Sequence, residues 1–206
     1  MIDSFLGIFI PLIIIVNPAS TLALFSVITS KYSKKERVHL AKNASSYAAI
    51  LLIIFAVAGS SILSFLGIEI YSLRVAGGIL LGFVGLDMLR RGEQFGESPP
   101  GKEQKADYAL VPLALPSLSG PGAITVTIVS MQSVEWFSIQ WWMVFVAIFL
   151  TMIITFLIFL SSVFIIKIFG RKGMDALTRV MGLLTVAIAV QFALTGLTSW
   201  ISTIQI

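Results

Sequence analysis

The stretch Val111-Pro112-Leu113-Ala114-Leu115-Pro116-Ser117-Leu118-Ser119-Gly120-Pro121-Gly122-Ala123 decides how this chain folds. It is apolar enough to lie in a membrane, yet its prolines and glycines forbid one continuous helix. An interior proline removes a backbone donor and clashes with the carbonyl one turn back, and glycines on both sides of Pro121 loosen the chain further. The helical ladder is therefore expected to break between Ser119 and Gly122. Irregular backbone at membrane depth is stable only when it is buried in protein or lines a polar cavity. The freed amides and carbonyls of this stretch are thus placed where a ligand can meet them.

The first half of the chain holds a counterpart, Pro11-Leu12-Ile13-Ile14-Ile15-Val16-Asn17-Pro18-Ala19-Ser20-Thr21, interrupted by its own Asn-Pro pair. At roughly 1.5 Å per residue, both breaks fall about 18 Å into their segments, near the middle of an apolar layer about 30 Å thick. Proline- and glycine-interrupted segments at corresponding places in two halves point to a transporter's central binding site.

Composition sets the class. Hydrophobic residues make up 57% of the 206 and charged residues only 12%, with a mean hydropathy of +0.99, which fits an all-α polytopic membrane protein and excludes an ordinary soluble domain. No basic region precedes the first apolar run and no small-residue cleavage site ends a short one, so the chain from Phe5 onward is taken as a first span rather than a removable signal. The absence of cysteine excludes disulfides, thiolate catalysis and cysteine metal sites.

Six apolar segments are long enough to cross as helices, at roughly 4–29, 43–67, 70–89, 108–131, 139–166 and 178–203. Basic residues collect in alternate connections: Lys31 to Lys42 after the first segment, Arg90 to Lys105 after the third, and Lys167, Arg171 and Lys172 after the fifth. The positive-inside rule puts those connections in the cytoplasm and both termini outside it, with Trp136, Trp141, Trp142 and Trp200 at the opposite interface. Residues 92–107, with Pro99-Pro100-Gly101 and mixed charges, are expected to be a cytoplasmic linker between residues 1–91 and 108–206. Leu73-Arg74-Val75-Ala76-Gly77 opens the third segment much as Thr178-Arg179-Val180-Met181-Gly182 opens the sixth. Three spans per half is an odd number, so the halves are expected to form an inverted-topology repeat of three helices each, with the first and fourth helices broken.

Asn17-Pro18, the Val111 to Pro116 run leading into Ser119-Gly120-Pro121-Gly122, and Arg179-Val180-Met181-Gly182-Leu183 together resemble the MarC family, which includes the SnatA neutral amino-acid transporters. The likeness covers nearly the whole chain, and its most specific part is the fourth-segment motif. It implies a six-span inner-membrane protein of two inverted repeats that carries small neutral amino acids such as glycine and alanine, with the proton as coupling ion. In the family's common first-span pattern a glycine stands two residues after the proline and a second proline three residues beyond. Here those places hold Ser20 and Ala23.

The site expected from the breaks comprises Asn17, Pro18, Ser20, Thr21, Ser119, Gly120, Pro121 and Gly122. Half-helix ends offer amides to a carboxylate and carbonyls to an ammonium group, and the alternative is a pair of proline kinks without a ligand. The hydroxyls of Ser20, Thr21, Ser117, Ser119 and Thr125 either join that site or bond their own backbone. Gln191, about 18 Å beyond Arg179, either lines the cavity or bonds a neighbouring helix. Asp87 is the carboxylate deepest in a span, a proton-coupling candidate or an interfacial partner of Arg90 and Arg91, while Arg74 and Arg179 are either gate ion-pair candidates or interfacial caps. His39 belongs to a solvated basic stretch. No metalloprotease, nucleophile-elbow or Walker motif is present, so neither catalysis, a metal nor a cofactor is expected. The lipid bilayer is the expected surrounding, no nucleic-acid partner is indicated, and an oligomer is compatible with the sequence. Two other readings stay open: an exporter of another small solute, and a channel-like or structural subunit with no bound substrate.

Overall fold

The computed structural model describes residues 1–91, 118–132 and 134–204. The expected linker at 92–107, the first part of the fourth segment and Ser117 lie outside them. All regular structure among the described residues is helical: α1 (Ile2–Val16), α2 (Pro18–Ile28), a 3₁₀ turn (Thr29–Lys31), α3 (Lys34–Phe65), α4 (Ile70–Arg91), α5 (Pro121–Gln132), α6 (Ile139–Leu160) and α7 (Ser162–Ile204). Among the described residues, five stretches are long and apolar enough to cross a membrane: Ile2–Ser26, Lys34–Phe65, Ile70–Arg90, Ile139–Leu160 and Lys172–Ile204. The described part of the expected fourth span is α5 alone, 12 residues long.

The first expected break is present, and a helix starts at Pro121 as expected for the second, whose preceding segment lies outside the described residues. Asn17 ends α1 in the left-handed region at φ 45° and ψ 67°, a conformation that asparagine tolerates better than most residues. Pro18 then opens α2. In the second half Gly120 is non-helical and Pro121 opens α5. Proline suits a first helical position because its missing N–H would have no intrahelical partner there. At both starts the N-cap carbonyl accepts the first bond of the new helix, Asn17 from the Thr21 amide at 3.3 Å and Gly120 from the Ile124 amide at 3.1 Å, as at helix starts in general.

Two boundaries differ from the sequence expectation. The basic stretch before the second span is helical from Lys34, not a loop up to residue 43. The cause is a capping box, in which the Ser33 side chain accepts from the Glu36 amide while the Glu36 carboxylate accepts from the Ser33 amide, and this satisfies two end donors at once. The connection before the last span is also helical, because α7 begins at Ser162 and is interrupted only at Gly170, where φ is 61°.

Helix α4 packs along α7 more extensively than any other pair. The two run antiparallel, with glycines letting backbone meet backbone: a Cβ on Gly78 would stand 2.7 Å from the Ala189 carbonyl oxygen, one on Gly85 2.9 Å from that of Gly182, and one on Gly196 2.9 Å from that of Tyr71. Small residues at such crossings replace the hydrophobic drive that helices lack in lipid. Helix α3 packs against both α6 and α5 and buries a stripe that includes Ala41, Ala44, Ala48, Leu52 and Ala56. Phe25 of α2 and Phe159 of α6 stack with ring centroids 4.5 Å apart. Trp136, Trp141 and Trp142 form one aromatic cluster with Phe137 and Phe145 at the start of α6.

Candidate functional site

The two breaks share one cavity. It has a volume of about 240 Å³, and its walls are the end of α1 and start of α2 (Ile15, Val16, Asn17, Ser20, Thr21, Leu24), the start of α5 (Gly120, Pro121, Gly122, Ala123) and one face of α4 (Leu81, Val84, Met88). Gly122 makes the junction close, because a Cβ there would stand 3.0 Å from Leu81 Cγ and 3.1 Å from Ile15 Cγ2. A side chain at that position would push α5 away from both α1 and α4.

The backbone at the breaks leaves hydrogen-bonding capacity at the walls. Ile14 loses its usual partner because Pro18 has no N–H. Val16 loses its own because the Ser20 amide turns to Asn17 Oδ1 at 3.3 Å, a side-chain cap on the first turn of α2. On the other wall Gly122 and Ala123 hold first-turn positions of α5, where amides have no intrahelical carbonyl to meet. Two helix N-termini and one helix C-terminus therefore border the cavity, so acceptors and donors for a small dipolar molecule are both at hand.

Among the polar side chains, Asn17 is central. It is 6% exposed, and its Nδ2 donates to Ser20 Oγ at 2.9 Å and approaches Met88 Sδ at 3.7 Å. Ser20 Oγ donates in turn to Thr178 Oγ1 at 3.3 Å, joining the first break to α7. Thr21 and Thr125 turn their hydroxyls back on their own helices, to the carbonyls of Asn17 at 3.4 Å and Pro121 at 2.8 Å, the pattern of membrane hydroxyls that satisfy themselves.

Of the residues expected at the site, Asn17, Ser20, Thr21, Gly120, Pro121 and Gly122 line the cavity. Pro18 and Ser119 are buried next to it but are not among its lining residues. Gln191 is not brought to the cavity. It is exposed and donates to Thr195 Oγ1 at 3.2 Å, one turn along its own helix. The reason is its face: α7 buries Thr178, Gly182, Thr185, Ala189 and Gly196, and two residues beyond Ala189 is about 200° around the helix. Arg179 pairs with Asp175 at 3.3 Å on the exposed surface of α7, so its ion pair is within one helix and not across a gate. Arg74 lies beside Gly196, about 25 Å along α7 from Arg179, with its Nε buried and unbonded. Asp87 is half-buried on α4 next to Met88 and is not a lining residue. Among the described residues no group of His, Cys, Asp and Glu is placed to hold a metal ion.

Leu81, Val84, Met88 and Thr178 are the contributors that sequence reasoning missed. Met88 and Thr178 lie 71 and 158 residues from their partners at the first break, and neither carries a local signal.

The comparisons with known proteins agree with this architecture. The profile of the MarC family integral membrane proteins matches residues 2–201. A membrane protein of Methanocaldococcus jannaschii is 40% identical over 188 residues, covering 89% of this chain and 90% of its own length. One from Aquifex aeolicus is 35% identical, with 94% and 92% covered. The inner membrane protein MarC of Escherichia coli is 34% identical, with 98% and 99% covered. No solved structure shows significant similarity. A profile match over nearly the whole length, together with relatives covered almost end to end, shows that this chain belongs to the MarC family of integral membrane proteins.

Proposed function

We propose that the chain is a secondary active transporter of small neutral amino acids, of the glycine and alanine class, coupled to protons and working by alternating access at the cavity between the two helix breaks. The observation that carries this reading is the makeup of the cavity. Among the described residues none that lines it is charged, yet the starts of α2 and α5 and the end of α1 border it, a setting that suits a zwitterion without a charged side chain. Leu24, Leu81, Val84 and Met88 supply the apolar remainder, and the volume of about 240 Å³ lies below the roughly 300–1,000 Å³ of sites for drug-sized ligands.

The six-span inverted repeat, with an inner-membrane location and both termini outside the cytoplasm, belongs to the same proposal. Its support is that the helix starts at Pro18 and Pro121 border one cavity and that α4 packs antiparallel on α7, the last helices of the two proposed halves. The name of the Escherichia coli relative supports the location.

The reading is checked with purified protein in proteoliposomes, by uptake of labelled glycine and alanine with and without an imposed pH gradient. Saturable uptake, counterflow and stimulation by the gradient are expected. Flux that rises with concentration without saturating would make the chain a channel, and absence of glycine and alanine flux would remove the amino-acid assignment.

A further inference from the structure

Both donor directions of the Asn17 carboxamide and one of its acceptor directions have a partner. The Ser20 amide can only donate, so the end it meets at 3.3 Å is Oδ1 and the other end is Nδ2, which fixes the orientation of the group. One Nδ2 hydrogen goes to Ser20 Oγ at 2.9 Å, and Ser20 Oγ is anchored on Thr178 of α7, a residue 0% exposed. The second Nδ2 hydrogen faces Met88 Sδ at 3.7 Å. A thioether is a weak acceptor. Two contacts to Ser20 thus hold the carboxamide in place and the third, to Met88, is easily exchanged, while Met88 is an unbranched, adaptable side chain on the cavity wall that relocates at low cost.

We propose that Asn17 Nδ2 is the donor that binds a carboxylate oxygen of the substrate, that Met88 Sδ is the placeholder which this oxygen displaces, and that Ser20 and Thr178 are positioning residues keeping the donor aimed into the cavity. The inference rests on the amino-acid reading above. Exchange of a thioether for a carboxylate gives the donor a charge-assisted bond, about twice as strong as a neutral one. It also releases α4 from the first break, while Ser20 keeps that break tied to α7. Substrate binding therefore changes which helices the break is bonded to, with no charged residue involved.

The experiment uses protein labelled with ¹³C-methyl methionine in lipid nanodiscs. Of the seven methionines, Met88 is identified by the resonance missing from Met88→Leu. Glycine, alanine, acetate and methylammonium are titrated separately. The three carboxylates are expected to shift the Met88 methyl saturably, and methylammonium is not. Met88→Leu, which removes the competing acceptor at similar volume, should bind glycine about twofold to tenfold more tightly, the worth of one net hydrogen bond. Asn17→Asp keeps the cap on the Ser20 amide but loses the donor and should bind at least tenfold more weakly. Ser20→Ala and Thr178→Val should weaken binding, whereas Ser20→Thr and Thr178→Ser restore it. A Met88 methyl unmoved by every carboxylate, or glycine affinity unchanged in Met88→Leu, overturns the proposal even if amino acids are transported. Acetate moving Met88 while neither amino acid does would keep the carboxylate subsite and reject the amino-acid assignment.

Discussion

The two helix breaks solve one backbone problem by opposite chemistry. At each a helix starts on a proline and the preceding carbonyl accepts from the amide four residues on. The first break is held by a side chain: Asn17 takes a left-handed conformation, caps α2 through Oδ1 and reaches Ser20 and Met88 through Nδ2. The second is shaped by the absence of one, because Gly122 brings α5 against Leu81 and Ile15 at a distance no Cβ would allow. One wall of the cavity is therefore specified by hydrogen bonds and the other by close approach. The first is expected to govern affinity, and the second to govern whether the cavity exists.

The largest expected effect is all-or-none and concerns orientation. If the breaks belong to halves of opposite topology, a reporter fused after Ile206 is extracytoplasmic and one inserted near Pro100 is cytoplasmic, since basic residues collect in alternate connections. Identical compartments for the two reporters would leave the breaks alike in local geometry but unrelated by an inverted repeat.

Gly122→Leu comes next. Overpacking a tight contact costs about 1–3 kcal/mol, and here the added atoms meet two helices at once. We expect folded yield and uptake to fall together. Gly122→Leu protein that purified and transported like wild type would show that α5 can withdraw, and the second break would then be no more constrained than the first.

Asn17→Leu should separate the two roles. It loses a helix cap, about 1 kcal/mol of stability, and with it the donor to the cavity. A modest drop in melting temperature is expected beside a loss of saturable uptake of at least about tenfold, roughly 1.4 kcal/mol. Uptake that declined only in proportion to folded protein would reduce Asn17 to a structural cap.

How much of this was legible in the sequence depends on range. Asn17-Pro18 and Gly120-Pro121 were readable because proline and glycine act on their own backbone, so the breaks and their meeting followed from local chemistry. Hydropathy located the apolar core of α3 but not its start at Lys34, since the capping box of Ser33 and Glu36 is polar and lies outside any apolar window. Gln191 was read as lining the cavity or bonding a neighbouring helix and does neither, because the face of α7 on which it lies is decided by packing on α4. Met88 and Thr178 became visible only once α4 and α7 were folded against the first break.

The smallest effect sharpens the comparison most finely. Thr21 and Thr125 lie three and four residues after the prolines that open their helices, and each bonds the carbonyl four residues back, that of Asn17 at 3.4 Å and that of Pro121 at 2.8 Å. A hydroxyl so engaged adds little to a helix whose carbonyl is already bonded, so Thr21→Val and Thr125→Val, which keep the side-chain shape, should each change uptake by less than about threefold, under roughly 0.7 kcal/mol. The longer bond belongs to Thr21, and only Thr21 lines the cavity. If Thr21→Val lowered uptake tenfold while Thr125→Val did not, the Thr21 hydroxyl would have to leave Asn17 for the substrate during transport. The first break would then supply a second side-chain ligand, and its contrast with the glycine-shaped second break would be wider than the static geometry implies.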